Sequence, residues 1–201
     1  NTKKIHIIPN VINNFYLNNY KKKKQKSFLI VGMAGRINKA KYYELIIDAL
    51  QHNILKKFHI KGYFAGDGVR VNFLKNQINN KNNFKFFGTL DSKKLKKWYM
   101  SLDIYIQSTK GEGHSTSILQ AMGMNLPILA SNVSGIRNFL CPKKNIGIVF
   151  ENNPKSLANK IKHYIQLSPY KKNKIIRSQK NFILSNYIET KILKEYKKVI
   201  K

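Results

Sequence analysis

Length, composition and charge narrow the classes of protein to which this chain can belong. Its 201 residues, 42% of them hydrophobic, suffice for one globular domain, and its longest apolar runs fall far short of the roughly 18 residues that a membrane span needs. These short runs predict a soluble or peripheral protein. The single cysteine, Cys141, excludes an internal disulfide framework and a multi-cysteine metal site, and it predicts a reducing compartment, the cytoplasm.

The net charge of +29 comes almost entirely from lysine, with 34 Lys against 4 Arg and only nine acidic residues. Proteins that hold bases or phosphates in a fixed geometry favour the forked guanidinium of Arg, so the lysine excess is more typical of an AT-rich genome. A nucleic-acid-binding module is the disfavoured alternative, because most aromatic residues fall in apolar runs typical of a core. We predict no nucleic-acid partner and a surface that attracts smaller anions.

Six short apolar runs predict β-strands. They are FLIVGM (28–33), FHIKGYFA (58–65), FKFFG (84–88), DIYIQS (103–108), LPILA (126–130) and IGIVF (146–150). Most of these runs are apolar enough to be buried on both faces of a sheet.

Helical patterns alternate with these runs. Residues 42–51 carry an apolar stripe, 92–100 follow the capping residues Asp91 and Ser92, and Asn153 with Pro154 marks another helix start. Two lysine-rich helices are predicted within 170–201. The alternation predicts an α/β, Rossmann-like domain with an approximately six-stranded parallel sheet and helices on both faces.

Three loops that follow predicted strands carry the candidate functional residues. They are AGRINKAK with Arg36 and Lys41, GDG at 66–68, and STKGEGHSTS with Glu112. Ligands of open parallel sheets bind beyond the carboxyl ends of the strands, so the three loops are expected at one edge. The hydroxyl cluster before the helix at 116–124 is typical of an anion site at a helix start, and equally of ordinary capping. The glycine pair around Asp67 is likewise an ordinary turn signal.

The order and spacing of several segments resemble the donor-binding, C-terminal half of family 4 glycosyltransferases, which have the GT-B fold. The segments are IHIIPNVIN, GRINKAKYYELIIDAL, FAGDG, FKFFG, DIYIQST, GEGHSTSILQAMGMNLPILAS, SGIRNFL and NIGIVFENNPKSLANKI. Gly35, Arg36 and Lys41 match the family's first loop. Its paired-glutamate signature matches Glu112 and, eight positions later, Gln120, so an amide stands where the family has its second glutamate.

The resemblance implies roles for these residues. Arg36, Lys41 and Glu112 are the implied catalytic residues, the two cations stabilising the leaving diphosphate and Glu112 meeting the donor sugar. Amides near Ser115 to Ser117 would bind the diphosphate and Gln120 the ribose. The residues implied in nucleotide-sugar binding are Gly35, Arg36, Lys41, Gly66, Thr89, Glu112, Gly113, His114, Ser115, Thr116, Ser117 and Gln120.

The resemblance also implies a division of the chain and its partners. Residues 1–15 are expected to be an interdomain linker, 16–169 the donor-binding domain, and 170–201 helices that pack toward an N-terminal acceptor-binding domain. Since the chain begins at Asn1 without a signal peptide, we expect a fragment of a longer protein. The run KKKKQK at 21–26 suggests either contact with an anionic membrane surface or a solvated loop.

The implied activity is the transfer of a sugar, with retention of its anomeric configuration, from a nucleotide-diphosphate sugar to a glycan or lipid-linked acceptor in cell-surface polysaccharide synthesis. No cofactor is expected, and no metal, because the chain has no Asp-x-Asp pair to hold a metal-bound diphosphate. A UDP-sugar is the expected donor, and the isolated fragment is expected to be inactive. The alternatives are a non-catalytic nucleotide-sugar-binding subunit and a nucleotide-sugar epimerase of the same fold.

Overall fold

A single parallel sheet organises the domain. The computed structural model describes residues 8–17, 27–140 and 146–200. The strands in these residues are β1 (Leu29–Ala34), β2 (Ile60–Ala65), β3 (Phe84–Phe86), β4 (Ile104–Gln107), β5 (Ile128–Ser131) and β6 (Ile148–Phe150). All adjacent strands are parallel, in the order β3-β2-β1-β4-β5-β6. This is the Rossmann order, so the predicted fold is confirmed.

Helices cover both faces of the sheet. Those in the described residues are α1 (Tyr43–Gln51), α2 (Val71–Asn76), α3 (Ser92–Ser101), α4 (Thr116–Gly123), α5 (Ser134–Leu140), α6 (Pro154–Gln166), α7 (Pro169–Asn186) and α8 (Glu189–Val199). Residues of α1, α2 and α6 share one core cluster with Val31 and Phe64. Residues of α3, α4, α5 and α7 share the other with Ile30 and Tyr105. Burial on both faces explains why the strands are nearly continuous apolar runs.

Side-chain caps begin several of the helices where the sequence predicts. Asp91 Oδ1 accepts from the Lys94 amide at 2.8 Å at the start of α3. Asn153 Oδ1 accepts from the Ser156 amide at 2.8 Å, with Pro154 opening α6. Such caps satisfy amides that have no partner within the helix.

Helices α2 and α5 were not predicted from the sequence. Helix α2 has only six residues and buries Leu74 among them. Helix α5 has seven and begins with Ser134 and Gly135, which are typical of a turn. Both are shorter than the roughly 11 residues over which helical periodicity can be recognised in a sequence.

The segments at the two ends of the domain pack against its core. Ile12 and Tyr16 are buried, and the Ile12 amide donates to the Tyr187 carbonyl at 2.8 Å. In α7, Ile183 is buried, and Gln179 Nε2 donates to the Ile146 carbonyl at 2.8 Å. Helix α8 instead leaves Leu193 and Tyr196 exposed. The expected packing of residues 170–201 toward a further domain stays a prediction.

Some predictions fall outside the described residues. They include the polar segment at 18–26 with its KKKKQK run and the single cysteine, Cys141. Among the helices that the structure describes, none has the length and apolar character needed to cross a bilayer.

Candidate functional site

The loops that follow β1 and β4 are joined at the point where the strand order reverses. The Lys110 amide donates to the Ala40 carbonyl at 2.9 Å, and Thr109 Oγ1 donates to the same carbonyl at 3.1 Å. Ser108 Oγ donates to the Tyr42 carbonyl at 2.8 Å. Ligands of doubly wound sheets bind in the crevice at this position, so the two predicted loops flank the expected site.

Lys41 and Glu112 form an ion pair across this junction. Lys41 Nζ donates to Glu112 Oε2, and Gln107 Nε2 donates to the same oxygen at 3.1 Å. The side chains of Lys41 and Glu112 retain 24% and 15% of their exposure. The pair is therefore partly desolvated, which strengthens its attraction relative to a pair in bulk water.

A buried hydrogen-bonded network lies beneath the pair. Gln107 Oε1 accepts from Tyr105 Oη at 2.9 Å and from Ser117 Oγ at 3.2 Å. Ser115 Oγ and Ser117 Oγ lie 3.0 Å apart. Burial raises the pKa of Tyr105, so its hydroxyl stays protonated and available as a donor. The network links the end of β4 to the first turn of α4.

The amino end of α4 directly follows the loop that carries Glu112. Ser115 caps the helix, its Oγ accepting from the Ile118 amide at 3.4 Å. Thr116 is exposed, and its Oγ1 accepts from Asn10 Nδ2 at 3.2 Å. One turn further on, Gln120 Oε1 accepts from Tyr99 Oη at 3.1 Å. Unpaired amides and the helix dipole favour an anion at such a position.

Glycines bring the loops after β1, β2 and β3 close together. Gly66, with φ of 125°, lies so near the first loop that an added Cβ would be 2.0 Å from the Gly35 carbonyl oxygen. The Gly66 amide donates to the Gly88 carbonyl at 2.7 Å. Exposed Thr89 follows Gly88 and lies beside this contact. Only glycine fits at position 66 without displacing the first loop.

The remaining predicted site residues differ in their surroundings. Arg36 is exposed and forms no ion pair with any residue in the described part of the chain. Gly113 is also exposed. The His114 ring instead packs against Phe139 and Tyr187, with ring centroids 5.0 and 5.1 Å away.

The two nitrogens of His114 are buried and have no hydrogen-bond partner among residues 8–17, 27–140 and 146–200. Burial lowers the pKa of this histidine, and the charge of Glu112 opposes that shift. The ring thus helps to pack the loop that carries Glu112, and the implied contact of His114 with the donor stays a prediction.

Several residues of the site were missed from the sequence. Tyr105 and Gln107 support Glu112, Tyr99 contacts Gln120, and Asn10 contacts Thr116. The run DIYIQS contains the one available signal, because polar groups two positions apart point to the same face of a strand. Within the described ranges, three or more His, Cys, Asp or Glu side chains do not cluster in a way that could hold a metal ion.

Comparison with known proteins identifies the family of the chain. The sequence profile of the family described as glycosyl transferases group 1 matches residues 17–182, so the chain belongs to that family. Protein CapJ of Staphylococcus aureus is 29% identical over 171 residues, which cover 80% of this chain and 42% of CapJ. An uncharacterized glycosyltransferase of Methanocaldococcus jannaschii is 32% identical over 184 residues, covering 89% of this chain and 46% of the relative.

A solved structure shares the fold. The crystal structure of Anabaena HepE in complex with UDP and glucose matches with a TM-score of 0.76 and 19% identity, over 87% of this chain and 48% of HepE. The chain thus spans about half the length of the relatives that it matches.

Proposed function

We propose that this chain is the donor-binding domain of a glycosyltransferase that uses a UDP-sugar. The observation that carries the proposal is the Lys41–Glu112 pair at the junction of β1 and β4, where a cation and a carboxylate lie together at the position at which such sheets bind their ligands. The presence of UDP and glucose in the HepE structure supports the choice of nucleotide.

In this proposal the positive groups bind the diphosphate. Arg36, Lys41 and the first amides of α4, at Thr116 and Ser117, surround the phosphates. As the bond between the anomeric carbon and the phosphate oxygen breaks, its electron pair leaves with UDP, and the cations stabilise the growing negative charge. Each well-placed group of this kind can lower the barrier by about 3 to 4 kcal/mol. The oxygen of an acceptor hydroxyl forms the new bond to the anomeric carbon, and the proton of that hydroxyl passes to the departing phosphate oxygen. Gly35, Gly66 and Gly113 have no side chain and let the backbone approach the donor closely. Thr89 lies next to these loops and contributes to the same site.

The carboxylate and the amide of the signature bind the two sugars. Glu112 accepts hydrogen bonds from hydroxyls of the donor sugar. Gln120 binds the ribose, with its oxygen accepting from Tyr99 and its Nε2 available as a donor. A charged acceptor is thereby replaced by a neutral amide, which weakens the ribose contact relative to a glutamate.

The stereochemistry and the absence of a metal are further parts of the proposal. Family membership supports retention of the anomeric configuration, which NMR of the first-formed product would test. The two cations of the first loop support metal-independent transfer, because they supply the charge that a divalent ion would otherwise provide. Transfer that is abolished by EDTA and restored by Mg²⁺ or Mn²⁺ would contradict this part.

The acceptor and the cellular setting are proposed from the relatives' lengths and the chain's charge. A second, N-terminal domain would hold a glycan or lipid-linked acceptor of cell-surface polysaccharide synthesis, so the 201 residues alone would not transfer sugar. We place the protein in the cytoplasm, with the lysine run at 21–26 at the inner face of the membrane. Unchanged sedimentation with anionic vesicles after its lysines become Gln would contradict the membrane contact.

Calorimetric titration of UDP tests the donor site directly. We expect Arg36→Ala and Lys41→Ala each to weaken UDP binding about tenfold, the loss of one charge-assisted contact. Lys160→Ala, an exposed lysine of α6, is the matched control and should change the affinity less than twofold. Equal affinity in the wild type and the Arg36, Lys41 double variant would contradict the phosphate assignment.

A further inference from the structure

Gln107 is the last residue of β4 and is fully buried, although it is polar. All three of its described side-chain hydrogen bonds are made to residues at the candidate site. Its Nε2 donates to Glu112 Oε2 at 3.1 Å, and its Oε1 accepts from Tyr105 at 2.9 Å and Ser117 at 3.2 Å. A buried amide is costly unless both of its ends are satisfied, so this residue has a defined orientation.

The charge of Glu112 fixes the direction of the hydrogen bonds. An ionised carboxylate can only accept, so the amide of Gln107 must turn its Nε2 toward Glu112 and its oxygen toward Tyr105 and Ser117. Those two hydroxyls must then donate to Gln107. The Ser117 oxygen is left to accept from Ser115, whose own oxygen accepts from the Ile118 amide.

The two oxygens of Glu112 have different environments as a result. Oε2 receives hydrogen bonds from both Lys41 and Gln107. Oε1 accepts no hydrogen bond from any residue within the described ranges, and it is not fully buried. One oxygen is therefore held by two donors, and the other remains available to a ligand.

We propose that Gln107 is a positioning residue that fixes the Glu112 carboxylate so that Oε1 meets a hydroxyl of the donor sugar. The inference rests on the proposed function and names the residue on which its sugar contact depends. Lys41 cannot supply this orientation alone, because its ammonium is a point charge on a flexible stem. The amide of Gln107 is locked by Tyr105 and Ser117 and therefore acts as a fixed donor.

The same hydrogen-bond directions fix the orientation of the Ser115 and Ser117 hydroxyl groups at the start of α4. Ser117 donates to Gln107 and Ser115 donates to Ser117, so both hydroxyl hydrogens point into the protein. The diphosphate is then left with the backbone amides and Thr116, rather than the serine hydroxyls.

Gln107→Glu tests the proposal with almost no change of shape. The variant keeps an acceptor for Tyr105 and Ser117 but replaces the donor facing Glu112 by an oxygen. We expect the affinity for UDP-glucose to fall about tenfold and that for UDP less than twofold, because only the sugar contacts Glu112. The loss for UDP-glucose should shrink as the pH falls and the introduced carboxyl gains a proton that it can donate.

Gln179→Glu is the matched control, since Gln179 is equally buried and donates to the Ile146 carbonyl away from the site. It should lower the melting temperature without changing the ratio of the two affinities. Equal losses for UDP and UDP-glucose in Gln107→Glu, or no loss for either, would overturn the proposal.

A measurement without ligand separates this inference from the proposed function. We expect the side-chain NH₂ hydrogens of Gln107 to exchange slowly with solvent in NMR spectra and faster in Glu112→Ala. Unchanged exchange would overturn the positioning role even if UDP binds. Wild-type protein that binds neither UDP nor UDP-glucose would overturn the donor assignment, whatever the exchange rates.

Discussion

Two ion pairs at the carboxyl edge of the sheet are similarly buried but differ in the second oxygen of each carboxylate. Arg70 Nη2 donates to Glu44 Oε1 at 3.2 Å, while Glu44 Oε2 is buried without a hydrogen-bond partner in the described part of the chain. At the other pair, Lys41 and Gln107 share Glu112 Oε2. Both carboxylate side chains are 15% exposed.

The difference shows that burial alone does not distinguish the Arg70–Glu44 pair from the Lys41–Glu112 pair, which we propose to be functional. Arg70 also lies over the Phe73 ring at 4.0 Å, and its Nε is buried without a partner among the same residues. We call the Arg70–Glu44 pair the closed pair and the Lys41–Glu112 pair the open pair. The closed pair joins α1 to the loop after β2. Glu112 instead has a bound oxygen and an available one, which is what binding a hydroxyl requires.

The largest effect that we expect comes from breaking the closed pair. Arg70→Met leaves the Glu44 charge buried without its partner, so the free energy of unfolding should fall by about 3 kcal/mol in a denaturant titration. The affinity for UDP should not change. Arg177→Met, at an exposed arginine of α7, is the control and should cost less than about 0.5 kcal/mol. A similar cost for both variants would show that the closed pair is not structural.

A second variant tests the packing of α5 against the loop that carries Glu112 of the open pair. A Cβ at Gly135 in α5 would lie 1.8 Å from the Glu112 carbonyl oxygen. Gly135→Ala should therefore displace the Glu112 loop, at a cost of about 2 kcal/mol in the free energy of unfolding and with weaker UDP-glucose binding. Gly111→Ala provides the control, because an added Cβ there has nothing within 4 Å. Equal melting temperatures for the two variants would contradict this account.

Removing the cation of the open pair should affect stability little. In Lys41→Met, Gln107 still donates to Glu112, and partly exposed pairs contribute up to about 1 kcal/mol. We expect the free energy of unfolding to change by less than that, measured under the conditions used for Arg70→Met. A loss as large as that of Arg70→Met would show that the two pairs play the same role.

The smallest effect is a pH dependence next to the open pair. Because burial lowers the pKa of His114, the unfolded chain takes up a proton below the usual pKa of 6.5 more readily than the folded protein. Stability should therefore fall as the pH is lowered through that region. His114→Phe fills the same aromatic pocket and should lose less stability between pH 7.5 and pH 5.5 in parallel denaturations. An equal loss would assign the pH dependence to other groups.

Most of the fold could be predicted from the sequence because the strands are buried on both faces. Strand β5 begins two residues later than the sequence predicts, and this difference has a local cause. The predicted run begins at Leu126, but Pro127 has no amide hydrogen to donate. Only its carbonyl joins the sheet, accepting from the backbone amide of Tyr105 at 3.0 Å. The regular strand begins at Ile128.

The site could be predicted only in part. The rule for parallel sheets brings Lys41 and Glu112 to one edge, as the loops were expected to do. The support by Gln107 depends on contacts between β4 and α4, and the pocket of His114 depends on α5 and α7 packing together. Such contacts between distant segments leave no periodic trace in the sequence.

The pairing of β1 with β4 has a consequence for folding. Ile30 donates from its amide to Asp103 Oδ2, 73 positions along the chain, and the first loop meets Lys110 and Glu112 across the same junction. Contacts between distant positions close long loops and form slowly. A refolding chain should therefore regain helical signal, largely local in origin, before it regains the capacity to bind a nucleotide. Binding competence would report the last step of assembly, when the two halves of the sheet have docked.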